Sequence, residues 1–157
     1  MRKFYLIIAW INLIGLLAWG QRSELNFDRD WRFARFGLQA DGSRVEEPDS
    51  LQAYSFNDWD WRRLDVPHDW AIEGPFRIDL DGYTGKLPWQ GIGWYRKYFE
   101  VSSKDKKKRF YLDFDGAMAN AEVWLNGNKV GEWAFGYSSF RVDLTPYLLY
   151  DKKNVVA

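Results

Sequence analysis

Two-residue alternation of apolar and polar positions dominates this chain, and from Glu24 onward no stretch holds a helical period for long. In "RFYLDFDG", Phe110, Leu112 and Phe114 share one face, with Tyr111, Asp113 and Asp115 on the other. In "ANAEVWLNG", Ala121, Val123 and Leu125 face one way, and Asn120, Glu122 and Trp124 the other. Asn126-Gly127 then supplies the positive φ values of a tight type I′ turn, and "NKVGEW" follows as the returning strand. "SFRVDL" turns Phe140, Val142 and Leu144 inward, and Thr145-Pro146 ends that strand because proline cannot donate to a ladder. Short strands separated by Gly, Pro and Asn turns predict an all-β fold, an antiparallel sandwich or jelly roll.

The middle of the chain differs. Between Phe56 and Val101 only two short strands are expected, around Arg63–Val66 and Trp94–Val101. The Gly-, Pro- and Asp-rich residues between them predict a long loop, and such loops are commonly functional. Trp70, Phe76, Tyr83 and Trp89 argue that it is ordered and packed over the domain or a neighbour. The run "SKDKKKR" (103–109) reads as a solvated hairpin tip. At the other end, Asn154-Val155-Val156-Ala157 reads as a last strand that is just starting, after a polar stretch at Asp151–Lys153. Chain ends are usually loose and polar, so this pattern is expected for the front part of something longer, with the last strand truncated and a sheet edge left open.

The first twenty residues are a separate matter. Arg2 and Lys3 precede an apolar run from Phe4 to about Ala18, and Ala18-Trp19-Gly20 gives the small-x-small ending of a secretory signal peptide over residues 1–20. The run is short for a membrane span, which takes about 20 apolar residues. An uncleaved amino-terminal anchor is the alternative. With signal cleavage the chain is expected to be secreted or periplasmic, with no stable membrane span, and the absence of cysteine excludes lipoprotein attachment. The domain itself is expected over residues 24–157.

Composition adds two things. Aromatic residues make up 19% of the chain, which suits cross-strand packing and also suits stacking on the apolar faces of sugars. The formal net charge is zero, so nucleic acid and anionic membranes gain no electrostatic support as partners. A single histidine, His68, and no cysteine leave no His-rich or thiolate metal site.

Three blocks, "VPHDWAIEGPF", "GIGWYRKYFEV" and "FDGAMANAEVWLNGNKVGEWAFGYSSFRVDLTPYL", occur in this order. Together they resemble the amino-terminal sugar-binding domain of glycoside hydrolase family 2, in particular its secreted β-galactosidases of Bacteroides type. The resemblance implies a galactose-binding-like jelly roll leading a multi-domain enzyme. An immunoglobulin-like sandwich would follow it, and then a (β/α)8 barrel with the two catalytic glutamates. On this reading the partners are a terminal β-galactoside and the downstream domains, and no catalytic residue lies in this chain. Members of the galactosidase kind sometimes use Mg2+ or Na+ near the active site, and no ligand set for either is visible here.

The chemistry of a retaining glycosidase needs two carboxyl groups about 5 Å apart. Asp58/Asp60, Asp79/Asp81 and Asp113/Asp115 have the i,i+2 spacing that would place a pair on one face of a strand. Nothing in the sequence shields either member of a pair, so an exposed sheet face explains them better. His68-Asp69 is a poor base and orienter, since neighbours on an extended chain point apart. His68, Asp69 and Trp70 are instead expected to anchor the loop. The family resemblance gives a substrate contact to the segment before "GWYR", where the matching position is Gln90 with Trp89 beside it. Docking on the barrel is the alternative role for that pair. At the level of the whole chain, a free-standing carbohydrate-binding module and a structural domain without sugar contact are the rival readings to an enzyme domain.

Overall fold

The computed structural model describes residues 22–39, 41–88 and 90–157, with the backbone alone at Thr84 and Gln90. The segment read as a signal peptide lies outside the described residues. Among the described residues nine strands follow in order: β1 (Trp31–Leu38), β2 (Arg44–Val45), β3 (Arg62–Leu64), β4 (Gln90–Glu100), β5 (Tyr111–Phe114), β6 (Ala121–Leu125), β7 (Asn128–Trp133), β8 (Phe140–Asp143) and β9 (Lys153–Val156). They form one seven-stranded sheet, ordered β2-β1-β4-β9-β6-β7 with β3 also on β1, and a two-stranded sheet β5-β8. All the named strands pair antiparallel. The protein is an all-β, jelly-roll sandwich.

The expected alternation sets the core. Leu112, Val123, Leu125, Phe140, Val142 and Leu144 are all buried between the sheets, together with Trp31, Val101 and Val156. Each such aliphatic side chain stabilises the fold by about 1.5–3 kcal/mol relative to exposure. Phe140 stacks between Phe114 at 4.5 Å and Trp133 at 5.5 Å, centroid to centroid. The β6–β7 hairpin closes through Asn126 (φ 52°) and Gly127 (φ 85°), the two positive values that a type I′ turn requires. At Gly131 a Cβ would stand 2.4 Å from Val142 Cγ1, so β7 approaches β8 as closely as only glycine allows.

The large sheet is covered on its other face as well. Tyr95 and Phe99 of β4 turn toward the sandwich core, so the alternating Arg96 and Tyr98 turn away from it. There the segment between β2 and β3 folds back, and Leu51, Asp58 and Arg96 are each at most 1% exposed. Arg96 Nε donates to Asp58 Oδ2 at 2.8 Å, its Nη2 donates to the Ala53 carbonyl at 3.2 Å, and its Nη1 donates to the Leu51 carbonyl. Arg32 and the Tyr98 hydroxyl (2.9 Å) donate to the other Asp58 oxygen. Every face of this carboxylate is thus met by a donor, which is the condition for burying a charge.

Several expectations change here. The strand placed at Trp94–Val101 begins at Gln90, so the tail of the expected loop is paired: Gln90 is opposite Leu38 and Gly91 opposite Gly37. Gly91 (φ 150°) is where a Cβ would stand 1.9 Å from the Phe36 carbonyl oxygen, which a continuous apolar-polar pattern could not reveal. Lys-rich 103–109 is no hairpin tip. It holds a 3-10 turn at Ser103–Asp105 and carries the chain from the large sheet to the small one. Asp58 and Asp60 lie in a turn rather than a strand, with Asp58 buried and Asp60 exposed. The Asn154–Val156 stretch is an interior strand, buried between β4 and β6. It pairs with Phe99, Tyr98 and Lys97 of β4 and, at Val156, with Leu125 of β6. Asn154, fully buried, takes Leu149 N–H and Asn126 Nδ2 on its oxygen and donates to the Leu149 and Lys152 carbonyls.

Candidate functional site

The loop between β3 and β4 is held at its start by three consecutive residues. Asp69 accepts Ala71 N–H at 2.9 Å and so caps the 3-10 turn Trp70–Glu73. Trp70 lies against β4: a Cβ on Gly93 would stand 2.7 Å from its Nε1, and the Arg35 guanidinium sits 5.4 Å from its ring centroid. His68 bridges the loop and the sheet. Its Nδ1 is 2.8 Å from the Tyr95 hydroxyl and its Nε2 is 3.0 Å from Glu73 Oε1. A carboxylate only accepts, so Nε2 carries the shared proton, and in the neutral ring Nδ1 accepts from Tyr95.

Glu73 is gripped from its other side by Arg62, at 2.6 and 2.8 Å. The Arg62 hydrogen bonds, followed by that from His68, hold the Glu73 carboxyl at about 2. Burial, with the charges of Asp69 and Glu73 behind it, pushes the Tyr95 phenol up to about 12. The Arg62–Glu73–His68–Tyr95 chain therefore keeps a charged carboxylate and a neutral phenol at neutral pH. Neither is poised to exchange a proton with a substrate.

Beyond Gly74 the loop makes its own frame. Arg77 N–H bonds the Lys86 carbonyl at 2.8 Å, and Lys86 Nζ reaches back to the carbonyls of Ile78 and Leu80, both at 2.9 Å. Asp81 caps a second turn at Gly82–Thr84. Ile72, Phe76, Ile78 and Tyr83 all stand out into solvent, Tyr83 completely. Trp70 is the loop aromatic that packs down on the sheet, while Phe76 and Tyr83 do not. Trp89 lies outside the described residues, as does the side chain of Gln90. The backbone at Gln90 is the first residue of β4, at the end of this loop.

The carboxylate pairs do not form an acid and a nucleophile. A general acid for glycoside cleavage needs a raised pKa. Arg77 pulls Asp79 down and Arg141 pulls Asp113 down, the opposite of what such an acid needs. Among the described residues no group of three or more His, Cys, Asp or Glu side chains could hold a metal ion. No described helix is long and apolar enough to cross a membrane. Sequence reasoning missed Arg96, Arg32 and the partnership they give Asp58; the lone signal was an aspartate among three aromatic residues in "SFNDWDW".

Residues 82–157 match the family described as glycosyl hydrolase 2 galactose-binding domain-like. The chain belongs to glycoside hydrolase family 2, as its galactose-binding-like domain. The β-galactosidase BoGH2A of Bacteroides ovatus is 46% identical to this family 2 domain over 138 residues, 87% of the chain and 15% of that protein. A putative β-glucuronidase of Formosa agariphila is 38% identical over 136 residues, 86% of the chain and 12% of that protein. Among solved structures, a β-glycosidase from Bacteroides vulgatus superposes with a TM-score of 0.70 at 40% identity, over 85% of the chain and 17% of that structure. The chain spans under a fifth of the length of each of these relatives.

Proposed function

We propose that this domain serves, without catalysing, at the amino-terminal end of a secreted retaining hydrolase of terminal β-galactosides. The observation that carries the reading is the 46% identity to a protein named as a β-galactosidase, above the 38% and 31% to proteins named as β-glucuronidases. The lowered carboxyls of Asp79 and Asp113, and the ion-paired burial of Asp58, support placing the catalytic pair in another domain. In this reading Gln90 and Trp89, at the junction of the loop and β4, face the sugar bound by that other domain. His68, Asp69 and Trp70 hold the loop that carries them.

The experiment is a domain exchange. Residues 22–157 replace the matching segment of the B. ovatus enzyme, and the chimera is assayed on aryl β-galactoside and aryl β-glucuronide beside the 157-residue chain alone. The expected result is turnover of the galactoside by the chimera and none by the chain alone. A folded, inactive chimera, a chimera selective for glucuronide, or purified chain with activity of its own would overturn the reading.

A further inference from the structure

A second site, remote in its partners from the loop just described, opens where β1, β3, β4 and β9 meet. It is a cleft of about 350 Å3, at the small end for a ligand pocket. Arg32, Arg63 and Lys153 line it, with Arg96 directly behind, against two carboxylates, Asp30 and Asp58. The balance is positive, and the positive groups are unevenly satisfied. Asp58 is spent on Arg96, Arg32 and Tyr98 inside the fold. Asp30 reaches Arg63 only at 3.6 Å, and both side chains are about two-thirds exposed. Lys153 pairs with no carboxylate among the described residues.

The arrangement of these cations is the telling feature. The Arg32 guanidinium is 5.2 Å and the Lys153 ammonium 5.4 Å from the centroid of the same Tyr98 ring. Each adds positive charge to the lining of one cleft, which favours an anion there. The buried Asp58–Arg96 pair fixes Arg32 and the Tyr98 hydroxyl from beneath, so the cradle is held in position rather than assembled from loose side chains. Phe56 adds an apolar wall, and Asn57 adds an amide able to donate and accept.

We propose that this cleft binds a sugar bearing one oxyanion, a uronate carboxylate or a sulfate ester, with the anion between Lys153, Arg63 and Arg32. The oxyanion follows from the charges; the sugar as its carrier rests on the family reading above. The full chain is titrated calorimetrically with methyl β-glucuronide, methyl β-galactoside 6-sulfate, neutral methyl β-galactoside and inorganic sulfate. At least one charged glycoside is expected to bind, weakening as salt is raised. The neutral glycoside is expected to bind at least about tenfold more weakly, and Lys153→Gln to weaken the charged one by about tenfold, the effect of losing one hydrogen bond to a charged group. Arg63→Gln, also outside the buried pair, is expected to act in the same direction. Which charged glycoside binds identifies the anion. Equal binding of the neutral sugar, binding indifferent to both variants, or no charged glycoside bound at about 10 mM overturns the proposal. Binding of sulfate alone overturns the carrier, and does so whatever the domain-exchange chimera does.

Discussion

Removing the Asp58 carboxylate should destabilise the domain more than almost any other single change. Asp58→Ala leaves the Arg96 guanidinium, which has no exposure to solvent, without its counter-charge. Breaking one partner out of a buried ion pair costs about 3–5 kcal/mol. For a domain of this size about 1 kcal/mol moves the melting temperature by roughly 4 °C, so a fall of about 12–20 °C is expected. Such a loss is a large part of the roughly 5–15 kcal/mol that holds a typical domain together. Asp58→Asn should also be costly. Its one amide oxygen cannot accept from Arg96 on one side and from Arg32 and Tyr98 on the other, as the two carboxylate oxygens do. The assay is thermal and urea unfolding of the full chain, followed by circular dichroism and tryptophan fluorescence. The control is Asp58→Leu with Arg96→Met, which removes both charges together. It should be more stable than the sum of the single losses by about 0.5–3 kcal/mol, the usual coupling of contacting residues. A fall of under about 4 °C for Asp58→Ala, equivalent to 1 kcal/mol, would refute the reasoning. So would strict additivity in the double variant.

Three further outcomes are expected. The Glu73 carboxyl is held at about 2, below its ordinary 4.5, so its contribution to stability is fully present above 4.5 and is lost as pH falls toward 2; Glu73→Gln should flatten the dependence of melting temperature on pH across that window, and an unchanged slope would count against the Arg62 and His68 contacts. Gly131→Ala should cost about 1–3 kcal/mol by pressing on Val142 Cγ1, and should cost less in a Val142→Ala background; urea unfolding of the four proteins decides. In the domain-exchange chimera, Gln90→Ala should lower kcat/KM several-fold, since a hydrogen bond between neutral groups is worth about 0.5–1.5 kcal/mol, while kinetics left untouched would remove Gln90 from the substrate site.

The strands legible in the sequence are those with one face in the core and one in water. β5, β6 and β8 alternate cleanly because each buries one face only, and the turn between β6 and β7 announces itself as Asn126-Gly127. β1 escaped notice. Its "WRFARFGL" places Trp31 and Phe33 toward the sandwich and Arg32 and Phe36 under the folded-back segment, so no polar face marks it. The same double burial hides Arg96, which looks like a solvated residue in "GWYRKYFEV" and is the most completely enclosed charge in the domain. Long-range geometry, here the return of residues 51–58 onto β4, has no local signature. The position of the site loop was legible from its glycines, prolines and aromatic residues. Its anchor on the sheet was not, because Tyr95 meets His68 only after β3 and β4 are both laid beside β1.

The placement of β9 sets the order in which this chain can become a protein. A ribosome releases β1 through β4 first, then the β6–β7 hairpin, and Lys153–Val156 only after both of the strands it joins. Yet β9 is the seam of the large sheet, joining Tyr98 to Val155 on one side and Leu125 to Val156 on the other. Until β9 emerges, the two halves of the sheet wait with facing edges of unpaired amides and carbonyls, each a template for a wrong partner. Pairings so distant along the chain also close slowly. Nascent chains of this domain therefore carry those two open edges until Lys153–Val156 has been made.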